Sequence, residues 1–172
     1  RTSLVFTAGD DIIVFDGTES SVFTGDISTG TSATCNFTGT ADPDAENYYA
    51  VYPKSAEKLT ASSASATIPF AQDAVAGTFA ENAHVMVASA SGAKKEFKFK
   101  TANAFIRITA PRNLKSVVMT GNNGEKIAGN IKVSGYSDIT VSEASATSIT
   151  LSGTMEKGKE YYISYAPAKF EN

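Results

Sequence analysis

The chain has 172 residues, of which 42% are apolar and 19% charged, and its formal net charge is −3. That apolar share excludes a disordered chain, and the length suits one domain with a sizeable core. The negative balance argues against a nucleic-acid binder, which presents a basic face.

Helical periodicity is hard to find. Short runs of period two recur instead, separated by Gly, Asn, Asp and Ser, which is the pattern of strands and turns. In chain order the expected strands begin with Leu4-Val5-Phe6-Thr7 and Asp11-Ile12-Ile13-Val14-Phe15, each closed by a Gly/Asp turn. Ser32 to Thr38 follows, with Ala33, Cys35 and Phe37 on one face. Tyr48 to Tyr52 is an aromatic strand stopped by Pro53, and Ser65 to Ile68 stops at Pro69. Proline ends both because it cannot donate to a ladder. Gln72 to Ala83 is the one stretch suited to a helical turn or a long loop.

Val85 to Ala88 resumes the series. Glu96 to Lys100 then alternates cleanly, Phe97 and Phe99 against Glu96, Lys98 and Lys100, as a half-buried strand does. Phe105 to Thr109 comes next. Lys115 to Thr120 and Glu125 to Ala128 flank Gly121-Asn122-Asn123-Gly124, and Asn-Gly between strands predicts a hairpin. Ile131 to Val133, Ser148 to Leu151 and Glu160 to Tyr165 complete about a dozen short strands, the signature of a sandwich or barrel. Ser55 to Ser65 and Ser142 to Thr147 read as loops. No repeat or internal boundary divides the chain, so residues 1–172 are expected to form a single β-sandwich domain.

Few residues carry chemistry. His84 is the only histidine and Cys35 the only cysteine. A nucleophile needs a neighbouring base, a zinc site needs more ligands, and no Gly-x-Ser-x-Gly elbow exists. His84 therefore reads as structural and Cys35 as a small hydrophobe in a core. No catalytic, cofactor-binding or metal-ligating residue is assigned. Asp42, Asp44 and Glu46 alternate like the start of a calcium loop, but the Gly and closing Glu of that loop are missing, so the segment reads as a turn. Asp10 and Asp11 also sit in a turn. A hydrolytic pair drawn from Asp11, Asp16, Asp44 and Glu46 would have to converge to about 5–10 Å. Lys94, Lys95, Lys98 and Lys100, interleaved with Phe97 and Phe99, read as a solvated strand face. Two tyrosine groups, Tyr48, Tyr49 and Tyr52 with Tyr161, Tyr162 and Tyr165, suit a core or a binding surface.

Five segments, taken in order, resemble one known family. Phe6-Thr7-Ala8-Gly9-Asp10-Asp11-Ile12-Ile13-Val14-Phe15-Asp16-Gly17 is similar to the opening of the fimbrillin-like (Mfa-like) proteins of Bacteroidetes. Phe37-Thr38-Gly39 with Tyr48-Tyr49-Ala50-Val51-Tyr52-Pro53 resembles that family's next strand pair. Ile68-Pro69-Phe70 with Ala83-His84-Val85-Met86-Val87-Ala88, Val117 to Gly129, and Tyr161-Tyr162-Ile163 with Ala166-Pro167 resemble later blocks. The likeness spans nearly the whole chain. Phe6 stands where the family more often has Trp, and the lipobox cysteine and signal are missing.

The resemblance implies an all-β, antiparallel Greek-key β-sandwich of transthyretin-like type, the N-terminal domain or a fragment of a longer precursor. It implies a non-enzymatic structural or adhesive protein without cofactors, exported as a lipoprotein to the bacterial cell surface, outer membrane or fimbrium. Its partners would be other pilus or surface subunits and a host protein or glycan receptor, with no nucleic acid. The outer membrane would be reached only through a lipid anchor not present in this chain. Such subunits assemble by strand exchange after a protease removes the first strand, often behind an arginine. Arg1 is the only arginine before Arg107, so the chain's start is expected near such a site, with Leu4 and Phe6 as the candidate subunit-interface strand. The alternative is a glycan-binding sandwich module of a polysaccharide-uptake system, for which an exposed, coplanar set of tyrosines would speak.

Overall fold

The computed structural model describes residues 5–54, 58–92 and 95–168. They contain no helix and seventeen strands. These are β1 (Phe6–Thr7), β2 (Asp11–Phe15), β3 (Ser20–Gly25), β4 (Thr31–Ser32), β5 (Phe37–Thr38), β6 (Asn47–Tyr52), β7 (Lys58–Leu59), β8 (Ser63–Ile68) and β9 (Ala71–Asp73). After them come β10 (Met86–Ser91), β11 (Lys100–Thr101), β12 (Ala104–Thr109), β13 (Leu114–Thr120), β14 (Gly129–Ser134), β15 (Thr140–Ser142), β16 (Ser148–Met155) and β17 (Glu160–Tyr165). The fold is all-β and sandwich-like. Among the described residues every strand pairing is antiparallel except β9 on β16.

One layer is a six-stranded sheet in the order β11-β10-β6-β2-β3-β5. Facing it are the pair β12-β17, the trio β13-β16-β9 and the four-stranded sheet β15-β14-β8-β7. A side chain joins the pair to the trio. Gln72 on β9 is 2% exposed; its Nε2 donates to the Ser164 carbonyl at 2.7 Å and its Oε1 accepts from the Ser164 N–H at 3.0 Å. The amide thus stands in for a backbone peptide between β9 and β17.

The main core lies between the layers. It takes Val51, Val85 and Val87 from one side, Ile149, Leu151, Tyr161 and Ile163 from the pair and trio, and Ala66, Ile68, Ile131 and Val133 from the four-stranded sheet. Burying each Val, Ile or Leu side chain stabilises by about 1.5–3 kcal/mol. A second, smaller cluster of Ile12, Val14, Tyr48 and Ala50 lies on the opposite face of the six-stranded sheet. β2 and β6 are therefore apolar at both parities, as strands covered on both faces must be.

Several expectations need correction. Ser32 to Thr38 is not one strand: β4 and β5 are separated, and Cys35 lies between them, half-buried rather than in a core. Asp26 accounts for this, because its carboxylate accepts from the Asn36 N–H at 3.1 Å and from Asn36 Nδ2 at 2.8 Å, drawing that backbone out of the ladder. Glu96 to Lys100 keeps its alternating burial, yet only Lys100 joins a ladder.

The Asn-Gly turn forms at 122–124, but the strands around it do not pair with each other. β13 pairs with β16 instead, and Ala128 bridges to Ala146. Ser55 to Ser65 holds β7 and the start of β8, with 55–57 outside the described residues. Gln72 to Ala83 begins in β9 and continues as a loop. Leu4, Arg1 and Lys94 also lie outside the described residues.

Candidate functional site

The outer face of the six-stranded sheet carries a cavity of about 1040 Å³. Alternation along the strands decides its floor. Val14 on β2, Tyr48 and Tyr52 on β6, Phe23 on β3 and Met86 on β10 all project to this side, away from the main core. Segments outside the long ladders form the cover: Phe6 on β1, Phe37 on β5, and residues 95–99 with Phe97 and Phe99.

The rings meet edge to face. Phe6 lies 5.4 Å from Phe37, 6.0 Å from Tyr52 and 6.1 Å from Phe99, centroid to centroid. Such pairs add about 0.5–1.5 kcal/mol each beyond the area they bury. Among the described residues, β1 has little else to hold it. Its ladder to β4 is two residue pairs, Phe6 with Ser32 and Thr7 with Thr31. Asp10 ties it at the turn, its Oδ2 accepting from the Thr7 N–H at 2.7 Å and its Oδ1 from the Tyr52 hydroxyl at 2.8 Å. Burial, helped by that carboxylate, pushes the Tyr52 phenol well above its ordinary value.

Several polar side chains in the wall are already partnered. His84 is 3% exposed, its Nε2 lies 3.0 Å from Thr101 Oγ1, and the rings of Phe79 and Phe105 flank it at 5.2 and 5.4 Å. Burial lowers its pKa to about 4, so the ring is neutral at pH 7. The Tyr48 hydroxyl donates to the Asp42 carbonyl. At the mouth, Lys95 Nζ sits 4.8 Å above the Tyr48 ring and donates to the Pro43 carbonyl at 3.4 Å. Lys98 and Glu96 share that rim, both exposed.

The remaining candidates fall elsewhere. Asp16 caps a hairpin turn: its carboxylate accepts from the N–H groups of Asp42, Glu19 and Thr18, which together hold its pKa at about 2. Asp42 receives the Asp44 N–H at 2.9 Å in its own turn. Asp11 pairs with Lys54 at 2.6 Å. Among the described residues, no three His, Cys, Asp or Glu side chains come together as metal ligands. Cys35 lines the cavity and sits 3.6 Å from Asp26 Oδ1; burial raises its thiol pKa. None of the seven tyrosines is exposed.

Sequence reasoning singled out Phe6 but not the cavity around it. The signal was there in β2, whose Ile12-Ile13-Val14-Phe15 run has no polar parity and so demands cover on both faces. Set beside models of known protein families, curated proteins and solved structures, the chain finds no match.

Proposed function

We propose that this chain is a structural or adhesive subunit of a bacterial cell surface, fimbrillin-like in kind, which joins its neighbours by β-strand exchange. One observation carries the reading: among the described residues β1 is a two-residue strand, held by a two-pair ladder, the ring of Phe6 and one aspartate clip, over a sheet face that is apolar beneath it. A strand so lightly held can leave without unfolding the sandwich, because the main core lies on the other face. A neighbour's extended segment would then take its place, with main-chain hydrogen bonds for affinity and the Phe6 position as a side-chain pocket. Export to the surface, a lipid anchor supplied by the precursor, and other subunits as partners belong to the same reading.

The test is a cut. A protease site placed across the exposed Thr7-Ala8-Gly9 turn lets the first strand be severed in the folded chain. The severed strand is expected to dissociate, and the cut protein to oligomerise or to capture a synthetic strand of alternating apolar residues. Cut protein that keeps its first strand and stays monomeric in gel filtration would end the proposal.

A further inference from the structure

We infer that the aromatic cavity binds a free monocarboxylate with a long aliphatic chain, a fatty acid in the chemical sense. The volume, about 1040 Å³, is at the upper end for small-molecule sites. The wall chooses the body of the ligand. Tyr52 and Tyr48 spend their hydroxyl protons on Asp10 and the Asp42 carbonyl, and His84 spends Nε2 on Thr101, so these groups have few donors left to replace the water bonds of a sugar or a nucleobase. A polar ligand would lose those bonds uncompensated. An apolar chain loses nothing and gains contact with Phe6, Phe23, Phe37, Met86, Phe97 and Phe99.

The rim chooses the head. Lys95 is held by Pro43 and Tyr48, whereas the Lys98 ammonium has no partner among the described residues. Among the described residues the rim sets two lysines, Lys95 and Lys98, against Glu96, and that single surplus positive charge suits a monoanion better than a dianion. The neutral floor, with His84 uncharged, places no charge against the chain.

The inference uses the cavity of the proposed function but does not require β1 to leave. Protein that binds the fatty acid and never releases its first strand overturns the proposed function alone.

Calorimetric titration of the full chain with octanoate, decanoate and dodecanoate, each below its micelle concentration, tests it. One site per chain is expected, tightening roughly fourfold per added methylene. Lys98→Ala is expected to weaken dodecanoate about two- to fivefold, the worth of an exposed charge pair, and to leave dodecanol unchanged. Met86→Trp, or Val14→Phe if that variant does not fold, is expected to weaken both ligands more than about tenfold by filling the space. On wild-type protein, NMR shifts induced by dodecanoate are expected at Phe23, His84 and Met86. No saturable binding, uptake of many molecules without a plateau, equal loss of acid and alcohol in Lys98→Ala, or shifts confined to other surfaces would each overturn the inference.

Discussion

Gln72→Leu removes an amide while nearly keeping its volume. In the folded chain it strands the Ser164 N–H and carbonyl, both turned toward β9 and away from β12, on a residue that is 0% exposed. Each buried backbone group left without a partner costs about 1–3 kcal/mol. The two together cost about 4 kcal/mol, a large part of the ~5–15 kcal/mol that holds a domain together. The Pro69 carbonyl, which also receives Gln72 Nε2 at 2.9 Å, is half-buried and can turn to water. With a urea slope of about 2 kcal/mol/M, the unfolding midpoint should fall by about 2 M. Gln72→Glu should be comparably poor at pH 7, since a carboxylate then faces two carbonyls, and should recover in part in acid, when the protonated carboxyl donates again. Equilibrium urea unfolding followed by circular dichroism measures both. A loss under about 1 kcal/mol with an unchanged slope would mean that Ser164 is satisfied some other way, and the joint between β9 and β17 would not be what holds those strands together.

Three further outcomes can be checked. His84 has a folded pKa of about 4 against an ordinary 6.5, so the unfolded chain binds the extra proton between those values. Stability is full above about pH 6.5 and falls as pH drops toward 4, by roughly 3 kcal/mol; urea midpoints of the wild type and His84→Gln across that window should converge in acid. Phe6→Ala removes three edge-on ring contacts from a half-buried position; a local loss of about 2 kcal/mol should speed amide exchange at Phe6 and Thr7 roughly thirtyfold while leaving the core amides unchanged. Gly129 has φ +92°, and a Cβ there would meet Ser145 Oγ; Gly129→Ala should lower stability by about 2 kcal/mol or more in thermal unfolding.

The legible part of the fold was local. Alternation and turn residues located the strand cores at Ile12–Phe15, Tyr48–Tyr52 and Glu160–Tyr165, because period two and proline stops act within a few residues. β3 escaped because half of Ser20-Ser21-Val22-Phe23-Thr24-Gly25 is hydroxyl-bearing and only Val22 and Phe23 are large and apolar, its worth lying in pairing with β2. The Asn-Gly turn was real while its hairpin was not. Local turn chemistry says nothing of β16, about thirty residues on, which won the pairing with β13. At the site, Phe97 and Phe99 were correctly placed on one side, but what they cover depends on β2 and β6, far off in the chain. The Gln72 bridge left no pattern at all; a lone glutamine in a loop-like stretch is ordinary until its partner 92 positions away is seen.

The six-stranded sheet serves two interiors, and they answer to different constraints. The inner one joins strands from every layer, so a change there is felt across the whole chain. The outer one is closed by short pieces of chain: β1 and residues 95–99 over one sheet face, and the two-residue edge strand β5 beside them. Substitutions in those pieces reshape a surface without renegotiating the scaffold. Evolution can therefore explore the outer shell at low cost, and divergence among descendants of this chain should concentrate in that shell, with β2 and β6 held almost fixed beneath it.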